Sequence, residues 1–214
     1  MNRMEAGALA LVIASFIIGA YACPMLPETV ATHWDEHGSP NGWSGREFAV
    51  FFFPAMMLAL LALLIYLPHF DPLRENVEKF SGTWDLFKLV FIAFMFYIYM
   101  LSLAANLGMG INISYAMLPA LALLFWFMGV LVEKAKTNWF IGIRTPWTLS
   151  SRQVWDKTHQ LGAKLYKACA LVVLLGLAFP EFTIWFVIVP IMLVSAFLFV
   201  YSYLEYRKEL KSAP

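Results

Sequence analysis

"FAVFFFPAMMLALLALLIYL", Phe48 to Leu67, decides the fold: twenty residues without one Asp, Glu, Lys, Arg or His. As a helix it is about 30 Å long, which matches the hydrocarbon core of a bilayer. Five further stretches read the same way: Ala6–Cys23, Leu89–Leu107, Ile113–Val132, Ala168–Phe179 and Phe182–Leu204. The chain as a whole is 61% hydrophobic and 14% charged, against about 25% charged in soluble domains. The expected fold class is therefore all-α, a polytopic transmembrane bundle of six spans. The Ala168–Phe179 core is short for a span. It works if Lys164 and Lys167 snorkel to the interface and the helix begins earlier, near Ser150.

The basic residues orient the chain. Fourteen of the fifteen Lys and Arg fall at the termini or in the even-numbered loops, leaving Arg46 alone on the other side. Positive charge stays in the cytoplasm, so both termini are expected there and the multi-pass protein in the cytoplasmic membrane. The outer face then carries Glu28, Asp35, Glu36, Glu47 and Glu181. Two parts are expected: residues 1–68, a helical hairpin with an outer loop at 24–47, and residues 69–214, four spans with a cytoplasmic loop at 133–167. Met1–Ala22 also resembles a signal peptide, with Ala-Tyr-Ala before Cys23. Glu5 and the length of the apolar run favour a retained span. Cys23 and Cys169 fall near opposite faces, too far apart for a disulfide.

No apolar core holds an ionisable residue, which argues against proton pumps, ion-coupled transporters and intramembrane proteases. Asn106 is polar near the outer end of the third span and is expected to bond a neighbouring helix. Pro54, Pro119 and Pro190 sit at similar depths in the even-numbered spans. They suggest either three kinked hairpins around a cavity in the outer leaflet or the ordinary use of proline in membrane helices.

The outer loop reads "CPMLPETVATHWDEHGSPNGWSGREF", residues 23–48. "ETVATHWDEH" suits a short helix or an extended strand. As a helix it would put His33 and His37 on one face, the spacing of H-E-x-x-H zinc sites. Trp34 stands where that motif has its glutamate, and a third ligand is evident only if Glu28 or Glu47 reaches in. Otherwise the loop is a solvated acidic segment with Trp34 and Trp43 at the interface, or a surface whose acids and aromatics suit a cationic peptide.

The fourth loop reads "EKAKTNWFIGIRTPWTLSSRQVWDKTHQLGAKLYK", residues 133–167. Ser150 and Gln153 form an S-x-x-Q capping box. The helix that follows carries Val154, Trp155, Thr158, His159 and Gly162 on one flank, as an amphipathic interfacial helix would. Gly142, Thr145 and Pro146 predict a turn that holds Arg144 against this helix or the lipid headgroups.

"NWFIGIRTPWTLSSRQVWDKTH" resembles the signature of the SdpI family of bacterial and archaeal membrane proteins, named for an immunity protein against a secreted peptide toxin. "LPETVATHWDEHGSPNGW" with Arg46 resembles the N-terminal module of the same proteins: a Leu-Pro start, a histidine followed by an aromatic, a glycine five residues on and a closing basic residue. The resemblance picks out His33, Trp34, Gly38 and Arg46 outside. Inside it picks out Asn138, Gly142, Arg144, Thr145, Pro146, Trp147, Trp155 and His159. His37 matches no recurring position, and Ala31 stands where the motif often has a proline. The resemblance implies an immunity or receptor protein that recognises a peptide toxin or envelope ligand outside and binds a cytoplasmic repressor-type protein inside. It contacts lipids and no nucleic acid directly, and it is assigned no catalytic residue, metal or cofactor. Two other readings stay open: a metal-dependent hydrolase using His33, Asp35 and His37, and a small transporter of lipid or hydrophobic solute using the proline-lined cavity.

Overall fold

A computed structural model describes residues 1–212. Six helices are long and apolar enough to cross a membrane: α1 (Arg3–Ala22), α2 (Arg46–Tyr66), α4 (Ser81–Asn106), α5 (Ile113–Lys134), α7 (Arg152–Leu175) and α8 (Thr183–Ser212). Two short helices, α3 (Arg74–Glu78) and α6 (Pro146–Ser150), lie in the connections. Strands β1 (Thr29–Trp34) and β2 (Pro40–Gly45) form one antiparallel hairpin between α1 and α2. Six spans place both termini on one face, here the terminal face, and the hairpin on the opposite one.

Side-chain caps start several helices. Asn2 accepts from the Glu5 backbone N–H while the Glu5 carboxylate accepts from that of Asn2, a reciprocal pair that fixes the start of α1. Asn112 caps α5 through the Tyr115 N–H. The cap of α7 is Ser151, whose hydroxyl accepts from the Val154 N–H at 3.2 Å. The expected Ser150–Gln153 box does not form, because Ser150 is the last residue of α6 and its hydroxyl donates to the Pro146 carbonyl.

α7 begins close to where the short fifth span requires and runs unbroken through it. Its Val154–Gly162 flank is buried in protein, not laid on the membrane surface as an interfacial helix would be. Lys164 is exposed. Lys167 does not snorkel freely: it is bound to Glu133 of α5 at 2.5 Å. Similar pairs join the other helices near the terminal face. Buried Lys88 of α4 pairs with Glu5 of α1 and with Asp85. Buried Glu205 of α8 receives Lys157 of α7 at 2.8 Å and Lys208 at 2.6 Å. These charges flank the apolar cores and leave their interiors uncharged.

The core divides between groups of helices. Ala8 and Val12 of α1 meet Met57 and Leu61 of α2 and Ile92 of α4. Leu118, Ala122 and Phe125 of α5 meet Cys169, Ala170 and Val173 of α7. α5 and α7 approach closely at Gly129, where a Cβ would lie 2.8 Å from the Ala163 carbonyl oxygen. One further cluster lies beneath the hairpin and another beneath residues 135–145. α1 supplies part of this packing, so its loss would uncover Met57, Leu61 and Ile92.

Pro54 has a packing role. Its missing N–H leaves the Val50 carbonyl, one turn back, without its helical partner. The buried Tyr99 hydroxyl of α4 donates to that carbonyl at 2.9 Å. Gly19 of α1 makes room, since a Cβ there would stand 2.1 Å from the Tyr99 oxygen. The proline thus creates an acceptor that joins α2 to α4. Tyr99→Phe should cost about 1–3 kcal/mol by leaving the carbonyl unpaired in an apolar setting, read as a lower unfolding midpoint in detergent. Pro119 borders a cleft of about 390 Å³ between α4 and α5.

Candidate functional site

The outer motif folds as a strand pair, so the helical spacing of His33 and His37 does not form. Thr29 to Trp34 pairs with Gly45 to Pro40, with irregular register around His33. His33 lies on β1, whereas His37 lies in the turn, exposed and 3.8 Å from Glu36. Among the described residues no group of three or more His, Cys, Asp or Glu is placed to hold a metal. Among the described residues, His33 and His37 are not brought together with a third donor.

Three side chains from two helices hold the hairpin. Asn106, at the end of α4, accepts from the Ala31 N–H at 2.8 Å and donates to the Ala31 carbonyl at 2.9 Å. Its amide thus reads β1 as a neighbouring strand would, and the expected contact with another helix is replaced by a contact with the sheet. At the tip, Asn112 donates to the His37 carbonyl at 3.0 Å and Ser114 to the Asp35 carbonyl at 2.8 Å. The Asp35 carboxylate accepts from the His37 and Ser39 N–H groups and shapes the turn.

Within this frame Gly38 and Arg46 build the hairpin. Gly38 has φ +83°, and a Cβ there would stand 2.5 Å from the Asn112 side-chain oxygen. The Arg46 guanidinium donates to the Leu26 carbonyl at 3.1 Å, and its backbone N–H to Glu28 at 2.9 Å, closing the base. Trp34 is half-buried opposite Pro40. His33 is displayed. Its Nδ1 donates to the Asn41 side-chain oxygen across the strands, which orients the ring and directs Nε2 away from that bond. Trp43 is exposed on the neighbouring strand.

The inner motif is an ordered loop around Asn138, which is fully buried. The Asn138 side-chain oxygen accepts from the Phe140 and Ile141 N–H groups at 2.9 and 2.6 Å. Its amide nitrogen donates to the Lys136 and Ile141 carbonyls at 2.7 and 2.8 Å. Asp71 anchors the loop by accepting from the Trp139 N–H at 2.9 Å, and Asn76 by donating to the Thr137 carbonyl at 2.9 Å.

The remaining motif residues brace the loop against α7 and α8. His159 is buried, and its ring stacks on Trp155 at 3.9 Å. Its Nε2 accepts from the Ile143 N–H at 3.0 Å, so Nδ1 carries the proton it donates to the Trp155 carbonyl at 2.9 Å. Both ring nitrogens are occupied. Gly142 sits at φ +116°, and a Cβ there would lie 2.4 Å from His159 Nε2. The Trp155 indole donates to the Ala135 carbonyl at 3.0 Å. Thr145 and Thr148 cap α6 reciprocally with Pro146 in its first turn, and the Thr145 hydroxyl donates to Ser202 of α8 at 3.0 Å. Trp147 packs on Phe199 and Tyr203. Arg144 alone of this set is exposed with a charged head, held by one bond of 2.8 Å to the Trp139 carbonyl.

The two motifs share a plan: most residues build a rigid support, and one polar side chain is displayed on each, His33 on one face and Arg144 on the other. Asn41, Asn106, Ser114, Asp71 and Ser202 belong to these supports and were not among the residues expected to form the sites. Asn112, directly before an apolar run, carries a recognisable cap signal. The others act across 57 to 79 residues of sequence and have no local signature, except Asn41, which acts across the hairpin.

Comparison with known proteins places each motif inside a matching region. Residues 134–203 match the model of the SdpI/YfhL protein family, and residues 10–58 match a domain of unknown function (DUF1648). The chain is 23% identical over 199 residues to "Immunity protein SdpI" of Bacillus subtilis (strain 168), covering 92% of this chain and 93% of that one. No solved structure matches. The outer module and the inner signature lie in the same order along one chain, so this multi-pass membrane protein is similar to the SdpI/YfhL family through residues 134–203 and to the Bacillus subtilis immunity protein over nearly its whole length.

Proposed function

We propose that this chain is an immunity protein of the cell membrane whose hairpin recognises a peptide toxin or envelope ligand at the outer face. The observation that carries the reading is His33, displayed on a strand pair that Asn106, Asn112 and Ser114 hold to two different helices. Pre-organisation of this kind lowers the ordering cost of binding. The surrounding Glu28, Asp35, Glu36 and Glu47 would favour a cationic partner. The positive-inside distribution supports an outward-facing hairpin, and the relative named an immunity protein supports the role.

On the inner face, Lys79, Lys136 and Arg152 line a groove of about 290 Å³ and outnumber the Asp156 carboxylate beside them. The groove's charge suits an acidic segment of a cytoplasmic protein, such as a repressor held at the membrane.

The test is survival of a sensitive strain producing the chain, challenged with the peptide fraction secreted by the organism that carries it. Protection is expected from the parent chain and is expected to be lost in His33→Ala at an unchanged membrane level. His33 is exposed, so its removal should change stability by less than about 0.5 kcal/mol. Undiminished protection by His33→Ala would remove the hairpin from the mechanism.

A further inference from the structure

A further cavity, of about 250 Å³, opens beside the inner signature loop among α4, α5, α7 and α8. Phe87, Met128 and Leu198 give it apolar walls, and Tyr166 and Ser195 add two hydroxyl-bearing side chains. Arg144 also lines it and is exposed. One guanidinium N–H is taken by the Trp139 carbonyl. Among the described residues no carboxylate lies within 4.0 Å of Arg144, so its charge is uncompensated.

Arg144 lies in the connection between two spans, on the face that carries fourteen of the fifteen basic residues. Trp139 and Phe140 beside it are exposed, as aromatic side chains are at the level of lipid headgroups. The cavity is smaller than the roughly 300–1,000 Å³ of pockets for compact ligands, which favours a slender, chain-shaped occupant. An apolar slot with an uncompensated cation beside it, at headgroup level, matches one available molecule in shape, charge and depth.

We infer that this cavity is a binding site for an anionic phospholipid of the adjoining leaflet, with the phosphate on Arg144 and part of one acyl chain among Phe87, Met128 and Leu198. A guanidinium holds phosphate oxygens through paired N–H donors, and Arg144 keeps four of its five N–H groups for this. A zwitterionic lipid brings the same phosphate with its own cation, which weakens the match. The inference does not rest on the peptide-recognition reading, and its site is separate from the groove assigned to a cytoplasmic partner.

Native mass spectrometry of the full chain in detergent tests it. Phosphatidylglycerol and phosphatidylcholine with identical acyl chains are the probes, and glycerol phosphate stands for the headgroup alone. The parent chain should retain one phosphatidylglycerol with a preference of about fivefold over phosphatidylcholine, from one cation at the membrane surface. Arg144→Gln should abolish the preference, and Arg144→Lys should keep part of it. Ser195→Leu, which fills the cavity, should weaken retention of both lipids with Arg144 intact. Equal binding of the two lipids by the parent, or full retention by both Arg144→Gln and Ser195→Leu, would overturn the assignment. So would glycerol phosphate binding as well as the intact lipid, which would show an anion site without a lipid chain.

Discussion

Asn138→Leu is expected to lower the stability of the protein by more than about 3 kcal/mol, the largest loss of any single change considered for the inner motif. The side chain is fully buried and makes four hydrogen bonds, two as acceptor and two as donor. All four partners are backbone groups of residues 136–141 that have no helix or sheet to pair with. Leucine is close in shape and fills the space, so the loss reports unpaired polar groups, each worth about 1–3 kcal/mol when buried. The effect should spread. The loop carries Ile143, whose N–H satisfies His159, and Ala135, whose carbonyl satisfies Trp155. In a chain of this size the midpoint should fall by roughly 2–4 °C per kcal/mol, read by tryptophan fluorescence on heating in detergent. Asn138→Asp keeps the two acceptor bonds and loses the two donor bonds, so it should lie between the parent and Asn138→Leu.

The second large effect belongs to Asn106. Asn106→Leu removes both bonds to Ala31 and should cost about 2–4 kcal/mol for the docked hairpin. This loss is local. The bundle should keep its packing while the amides of residues 29–34 exchange hydrogen faster and the 24–47 segment becomes open to protease. Ala31 itself gives a second handle. The motif that this stretch resembles often has a proline at this position, and a proline has no N–H to give Asn106. In this chain the alanine is what permits the two-bond clamp. Ala31→Pro should therefore lose one bond, keep the other, and speed exchange less than Asn106→Leu.

The helical fold was readable because the lipid-spanning segments must satisfy their own backbone and stay apolar over a fixed length. The Phe48–Leu67 stretch has one solution, and α2 adopts it. The motif residues were readable as a group for another reason, their likeness to a family pattern. Their division of labour was not. Nothing local to Gly142 says that His159 lies against it, and nothing local to Pro54 says that Tyr99 answers its orphaned carbonyl. The choice of strand over helix at His33 was also hidden, because Asn106, which holds β1 at Ala31, lies 75 residues away in sequence. The amphipathic flank of α7 misled for a related reason. A helix face of Trp155, Thr158 and His159 looks alike whether it meets headgroups or a folded loop, and here the loop covers it.

The division of each motif into a buried support and one displayed side chain is tested by the thermal unfolding midpoint of four variants of the purified chain: His33→Ala, Arg144→Gln, Asn138→Leu and Gly142→Ala. The first two should melt within about 2 °C of the parent, since exposed changes cost about 0.5 kcal/mol or less. The last two should melt at least about 6 °C lower, because one leaves four backbone groups unpaired and the other forces a side chain into left-handed backbone against the His159 ring. Four variants with the same midpoint, or His33→Ala and Arg144→Gln melting as low as Asn138→Leu, would contradict that division.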